Sequence, residues 1–582
     1  MTELFEPTDA ADRRLALAAT GLLRDFNEAG VLTSADVHVA AEVGRLAGEG
    51  DEEVLLATAL AVRAVRHGSV CVDLTTVAEV APDLAWPAGA AWTAALERSP
   101  LVSGGVLRWE FGLLYLDRYW HQEVQLCVDL EARLAAAPPV VDGDLLETGL
   151  ARVFPGASYA EQRDASRRAA SGWTTVLTGG PGTGKTTTVA GLLALLAEQA
   201  DRAGRPPPRI ALTAPTGKAA ARLQEAVARA SADLDQVDRD RLGTLPAVTL
   251  HRLLGTRRDN GTRFRHHRGN RLPHDVVVVD ESSMVSLTMM TRLVEAVRAD
   301  TRLVLVGDPD QLASVEAGAV LADLVAGLAE REPSPVVRLA TTHRFGAEIG
   351  TLAAAIRGGS AEDVLAALTV GGDAVDYVET EDAAAVLRPR VVAAALDVRT
   401  HAEAGRAAEA VTALDRHRLL CAHRDGPHGV AHWNRQAEHW LSEATGDPLY
   451  EPMYVGRPIL VTANDYGLGV YNGDAGVVVL TTAGPRAFVS GAEGLADFAT
   501  TRMNDVETMF ATTIHKSQGS QAEDVTVLLP PPDSRLLTRE LFYTAVTRAE
   551  LVVHVVGTED AVRAAVERRA QRASGLRQRL LR

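Results

Sequence analysis

Cysteine is nearly absent. Cys71, Cys127 and Cys421 are the only three in 582 residues, and they lie far apart without metal-ligand spacing. That argues against a disulfide framework or a zinc site and suits a reducing, cytoplasmic compartment. Nowhere does the chain approach the ~20 uncharged apolar residues that a membrane-spanning helix needs. Its first residues, MTELFEPTDAADRR, are acidic and lack an apolar core, so no signal peptide is expected. Internal repeats of solenoid length are also missing.

Basic charge is in deficit overall, with a net charge of −17. That weighs against indiscriminate nucleic-acid binding, but screening over ~8–10 Å leaves room for a local basic channel. TRRDNGTRFRHHRGNR (256–271) is such a patch, with Arg257, Arg258, Arg263, Arg265, Arg268 and Arg271 around Phe264. Its Asn260-Gly261 pair predicts the turn of a tight β-hairpin. The patch reads either as a solvated loop or as a basic hairpin with Phe264 wedged against the last base pair of a duplex.

What is abundant is α/β patterning. At ~150 residues per domain the length suits three or four domains. Residues 1–140 look helical; LRWEFGLLYLDRYWHQEV places Trp109, Leu113, Leu116, Tyr119 and Trp120 at helical intervals. The stripe is read as core, with a partner-binding face as the lesser alternative. AAAPPVVDGD (135–144) breaks the helix and suits a linker. Beyond it, RIALTAP, DVVVVDE, RLVLVGD and VVRLATTHRF are short and almost continuously apolar, as parallel strands buried on both faces are. A second set follows: HRLLCAHR, GRPILVTAND, AGVVVLTTAG, ATTIHKSQGSQAEDVTVLLP and LVVHVVG. The expectation is two α/β domains in tandem, at 141–333 and 334–582. A Gly- and β-rich insert at about 440–508 reads as a small barrel.

One stretch carries sharp chemistry. TTVLTGGPGTGKTTTVAGLLALLA (174–197) is a strand, a glycine loop and a helix with the spacing G-x-x-x-x-G-K-T. In that context Gly179, Gly180, Pro181, Gly182, Thr183, Gly184, Lys185, Thr186 and Thr187 form a phosphate cradle. Backbone N–H groups and the helix dipole point at the phosphates, Lys185 meets the β- and γ-phosphates, and the Thr186 hydroxyl ligates Mg²⁺. The bound cofactor is therefore expected to be ATP with Mg²⁺. VVVVDESSM ends a buried strand in Asp280, which would hold the ion, and Glu281, which would polarise the attacking water. In LVLVGDPDQL the Gln311 amide is placed to sense the γ-phosphate. Arg344 in TTHRF and Arg548 in LFYTAVTRA are candidate arginine fingers from the second domain.

These blocks, in this order, resemble the motor motifs of superfamily 1 helicases of the 5′-to-3′ branch. The likeness spans 145–582 and is strongest to the RecD family, the alpha subunits of the RecBCD helicase–nuclease; LLYLDRYWHQE extends it into the N-terminal region. The resemblance implies tandem RecA-like motor domains, a helical N-terminal partner-binding domain and an SH3-like barrel insert. It implies adenine reading by Gln162 in AEQRDA. It also implies contacts to single-stranded DNA by Thr216, Lys218, Thr249 and His251 in the first motor domain, and by Asn464, Thr513, His515 and Ser517 in the second. RecB- and RecC-like subunits in a heterotrimer, and double-strand DNA ends, are the partners it implies. No paired Asp/Glu-x-Lys nuclease core stands outside the ATP motifs, so nuclease activity is expected on the RecB-like partner. A stand-alone RecD-like helicase and a motor retained only as a structural subunit are the alternative readings.

Overall fold

The computed structural model describes every residue except 1–4, 6–8, 10, 258–259, 343–346, 466 and 492–493. Two parallel sheets dominate it. The first has the order Val336–Leu339, Thr174–Gly179, Arg302–Gly307, Val276–Val279, Ile210–Ala214, Ala247–Thr249, with every neighbouring pair parallel. The second runs Val375–Val378, Ala549–Val556, Ala522–Leu528, His417–Cys421, Ala511–Thr513, again all parallel. Helices cover both faces of the first sheet, so its Val- and Leu-rich strands are buried throughout. The strand Val336–Leu339 pairs with Thr174–Gly179. The expected divide at 333/334 therefore falls too early, because the first sheet closes only at Leu339.

The insert is a five-stranded antiparallel sheet, Gly494–Ala499, Gly484–Gly491, Ala475–Thr481, Pro458–Val461, Val506–Thr508. GRPILVTAND and AGVVVLTTAG thus belong to this sheet, not to the second parallel one. No pairing among the described residues closes it into a barrel.

The N-terminal region is built on helices such as Ser34–Ala47, Glu52–Arg66 and Asp117–Leu134, but it also holds a three-stranded antiparallel sheet. Leu107–Glu110 and Leu113–Leu116 pair as a hairpin where continuous helix is expected from the apolar spacing. Phe111 and Gly112, at φ 58° and 75°, form its two-residue turn. That turn needs two positive φ values, and phenylalanine rarely supplies one, so the break is hidden in the sequence. The helical intervals hold only from Asp117 on. Leu107 and Leu114 face the N-terminal core, while Leu113 and Tyr115 pack with the helices of the first sheet.

Arg133, near the end of helix Asp117–Leu134, seats this region on the first sheet. Its guanidinium, 6% exposed, donates to the Thr174 hydroxyl at 3.0 Å and to the carbonyls of Arg298, Trp173 and Thr301 at 2.6–2.7 Å. Burial lowers its pKa to about 10. Replacing Arg133 with Met leaves those carbonyls buried without a donor, at about 1–3 kcal/mol for each left unsatisfied. Scanning calorimetry should show the transition of the first sheet and N-terminal region moving down by several degrees. An unchanged thermogram would contradict this docking.

Candidate active site

The phosphate loop lies between the buried strand Thr174–Gly179 and the helix Lys185–Arg202. Its glycines are sterically required at two kinds of position. Gly182 and Gly184 have φ 77° and 84°. At Gly179 a Cβ would come within 2.5 Å of the Thr183 hydroxyl and 2.8 Å of the Leu339 carbonyl. Lys185 Nζ bridges the loop by donating to the carbonyls of Gly179 (2.7 Å) and Gly180 (2.9 Å). Thr183 donates to the Gly180 carbonyl at 2.9 Å, which tightens the same turn. These bonds hold the Lys185 ammonium against the loop backbone, where it lines the cavity described below.

Gln162 takes a supporting position. It is 1% exposed, and its amide donates to the Thr183 carbonyl at 3.2 Å. Its Oε1 is buried without a partner among the described residues.

Asp280 and Glu281 follow the strand Val276–Val279 directly. Asp280 N–H donates to the Thr213 carbonyl of the next strand at 2.8 Å. Burial, with the Glu281 charge adding to it, raises the Asp280 pKa to about 6. Glu281 is one of two non-glycine residues with positive φ among the described residues, at 50°. Backbone strain of this kind costs about 1–3 kcal/mol and persists where the surroundings hold it. Here it turns two adjacent carboxylates towards the same cavity.

That cavity, about 540 Å³, is walled by Pro181, Gly182, Gly184, Lys185, Thr186 and Thr187 on one side and by Asp280, Glu281 and Gln311 on another. Arg548, from the second sheet, closes it. Arg548 is 4% exposed; its guanidinium donates to Gln311 Oε1 at 3.2 Å and to the carbonyls of Thr544 (3.1 Å) and Ser520 (3.3 Å). Gln311 in turn donates to Asp308 at 3.2 Å. Both groups expected to respond to the γ-phosphate thus touch each other across the junction of the sheets. Arg344 lies outside the described residues.

Sequence reasoning missed two members of the site. Tyr543, 3% exposed, donates to Asp308 Oδ2 at 3.0 Å, and its hydroxyl would lie 3.1 Å from a Cβ on Gly180. An aromatic inside LFYTAVTRA reads as core, and only the fold shows the hydroxyl at the phosphate loop. Arg222 lines the cavity, and burial, followed by the Arg548 charge, lowers its pKa. Its signal was available: four residues after Lys218 on one helix, it shares that helix's face.

The residues expected to meet DNA stand at or just beyond the carboxyl ends of strands, or in the insert. Thr216 and Thr249 cap helices, their hydroxyls accepting the N–H groups of Ala219 and Arg252 at 3.2 Å. Lys218 is half-buried, and desolvation pushes its pKa down to about 8. His251 sits edge-on to Phe264 at 6.0 Å, and burial lowers its pKa. Thr513 accepts from Lys516 N–H at 3.2 Å. Asn464 accepts from Asn472 N–H at 2.9 Å, and burial holds His515 down to about 4. Ser517 is 2% exposed and donates to the Ile514 carbonyl at 2.7 Å, so its hydroxyl is engaged internally. The two groups of residues approach one another: a Cβ on Gly519 would be 3.3 Å from Ala219 Cβ, and one on Gly217 3.6 Å from Tyr471 Cβ.

The basic hairpin exists, but with a different turn. Thr256–Arg257 pairs with Asn260–Phe264, and Arg257 opposes Asn260, so Asn260-Gly261 opens the second strand. Phe264 is 9% exposed and belongs to the core under the first sheet, which removes it as the aromatic of a wedge. Arg268 is spent on Asp129 at 2.6 Å, and Arg271 on the Val297 carbonyl at 2.7 Å.

Known proteins agree with this geometry. The family model described as an AAA domain matches residues 162–317, UvrD-like helicase C-terminal domain matches 508–556, and RecBCD enzyme subunit RecD, N-terminal domain, matches 28–109. The RecBCD enzyme subunit RecD of Mycobacterium tuberculosis is 60% identical over 573 residues, covering 98% of both chains. That of Mycolicibacterium smegmatis is 62% identical over 562 residues, covering 96% of this chain and 99% of the relative. The ATP-dependent RecD2 DNA helicase of Deinococcus radiodurans is 29% identical over 487 residues, covering 83% of this chain and 60% of the relative. A cavity shared by two parallel sheets, with 60–62% identity over nearly the whole length of those subunits, places the chain in the RecD family of RecBCD enzyme subunits.

Proposed function

We propose that this chain is an ATP-driven motor that moves 5′ to 3′ along single-stranded DNA and unwinds DNA ends, working with RecB- and RecC-like subunits. The observation that carries the reading is the Arg548–Gln311 hydrogen bond, which joins the two sheets inside the nucleotide cavity. Hydrolysis that alters this bond alters how the sheets sit, and with them the two groups of DNA-facing residues. The 60–62% identity to RecD subunits supports the complex over a stand-alone helicase. Intact Lys185, Asp280, Glu281, Gln311 and Arg548 support a working motor over a structural relic.

In this reading Lys185 exchanges its two loop carbonyls for the β- and γ-phosphates. Glu281 orients the attacking water, and Gln311 and Arg548 stabilise charge on the transferring phosphoryl group once the sheets close on it. Thr186 and Asp280 offer the hard oxygen donors that suit Mg²⁺, and a desolvated Asp280 carboxyl is well matched to a cation. When bound, Mg²⁺ neutralises phosphate charge. DNA contacts from hydroxyls, amides and helix N-termini would hold the backbone without reading sequence.

Residues 1–140 form the partner-binding domain in this reading, 141–339 the first motor domain, and the second parallel sheet with its insert the second. In this reading nuclease chemistry belongs to the RecB-like partner. All three cysteines are buried and unpaired, in keeping with the cytoplasm, and no described helix is long and apolar enough to cross a membrane.

Lys185→Ala should cut ATP turnover by ~10²-fold or more with an unchanged circular dichroism spectrum. Retention of half the wild-type rate would remove the loop from catalysis. Arg548→Ala should keep nucleotide affinity, measured with a fluorescent analogue, and lose DNA-stimulated turnover. A parallel collapse of affinity would make Arg548 a ground-state binder. On a tailed duplex, unwinding from 5′ tails is expected; exclusive use of 3′ tails would overturn the polarity.

A further inference from the structure

A second cleft, of about 890 Å³, opens between the N-terminal region and the first parallel-sheet unit. Helix Asp117–Leu134 supplies Arg118, Tyr119 and Gln125 to one wall; His251, Arg263 and Arg292 come from the other. His251 is itself one of the residues expected to meet DNA, so the cleft continues from that surface towards the N-terminal region. Phe264 lies on its floor, edge-on to the His251 ring. Tyr119 is half-buried beside the Arg118 guanidinium, which sits 5.6 Å from the ring centroid.

The charge balance in the cleft is local and positive. Arg66 is held by Asp36, and Arg292 by Glu295 at 2.8 Å. Arg118 and Arg263 are exposed and form no ion pair among the described residues, against the single remaining carboxylate of Glu316. In a chain of net charge −17, two arginines without an ion pair among the described residues, beside the half-buried Tyr119 ring and the exposed His251 ring, stand out. Cations that track phosphates, interleaved with ring faces that stack on bases, are how single strands are held without sequence preference.

We infer that this cleft extends the single-strand path beyond the motor, with Arg118 on a phosphate and Tyr119 against a base. The inference rests on the DNA-motor reading and gives the N-terminal region a nucleic-acid role beside partner docking. Acidic peptides would suit the arginines but would leave the Tyr119 and His251 rings without a base to stack on.

The test uses the full-length protein, an oligothymidylate length series and the variant Arg118→Ala/Tyr119→Ala. Wild type should keep gaining affinity with length beyond the shortest oligonucleotide that saturates ATPase stimulation. The variant should lose that late gain, binding long oligonucleotides ~10-fold more weakly. Its salt slope on them should be shallower by about 0.7, one phosphate contact. Stimulation by the saturating short oligonucleotide should be unchanged, which also reports an intact fold, and Arg118→Lys with Tyr119→Phe should restore the late gain. An unchanged length dependence, or equal weakening on short and long oligonucleotides, overturns the inference. No ATPase stimulation in wild type would instead sink the DNA-motor reading, and this inference with it.

Discussion

The hydrogen bond between Arg548 and Gln311 is the contact on which the rest of the molecule depends. Gln311 lies in a segment, residues 308–318, where the two parallel-sheet units and the N-terminal region meet. Asp308 takes the Tyr543 hydroxyl from the second sheet's helix Arg539–Val546. Leu312 is gripped at both backbone atoms, its N–H by Thr544 at 2.8 Å and its carbonyl by the Gln518 amide at 2.6 Å. Ser314 N–H reaches back to the Ser283 carbonyl, just past the carboxylate pair, at 3.1 Å. A strand-end segment tied to both sheets can shift only if these bonds change together. Bonds that change together are how a phosphate's departure would be coupled to movement of the sheets.

The same segment reaches the N-terminal region and the chain's end. Gly318 N–H donates to the Gly68 carbonyl at 2.9 Å, and Arg572 donates to the carbonyls of Ser314 and, at 3.0 Å, Glu316. From there the last residues cross back over the N-terminal region. Arg579 lies over the rings of Phe111, Tyr115 and Trp120 at 5.1–5.7 Å and pairs with Glu110 at 2.7 Å and the fully buried Glu123 at 3.2 Å. A buried carboxylate so compensated is costly to disrupt. Residues 572–582 thereby fasten the N-terminal region to the first sheet, so a partner docked on that region would be mechanically connected to the nucleotide cavity.

Much of this was legible in the sequence, for identifiable reasons. The phosphate loop and the carboxylate pair sit at the ends of strands that the glycine spacing and the four-valine run announce directly, while Gln311 and Arg548 stand in the GDPDQL and LFYTAVTRA blocks. The residues expected to meet DNA rest on the resemblance, because a threonine that caps a helix looks the same whether or not it also meets a phosphate. Period-based reading failed at Phe111-Gly112, where a turn rests on a phenylalanine with positive φ. Turn-dipeptide reading failed at Asn260-Gly261, a favoured turn pair that the pairing register placed within a strand. Phe264 looked like a wedge beside its arginines, yet packing turned it into core. Tyr543 and Arg222 were hidden because their roles depend on which sheets face each other, and no local pattern encodes that.

The central claim is that Gln311 and Arg548 act as one unit joining the two sheets, and a double-mutant cycle on DNA-stimulated ATP turnover tests it most directly. Gln311→Ala, Arg548→Ala and the double variant are compared with wild type at saturating nucleotide and DNA. Groups that work as a unit are strongly non-additive, so the double variant should lose little more than the worse single variant. Losses that multiply, with each substitution costing the same factor in either background, would contradict the account.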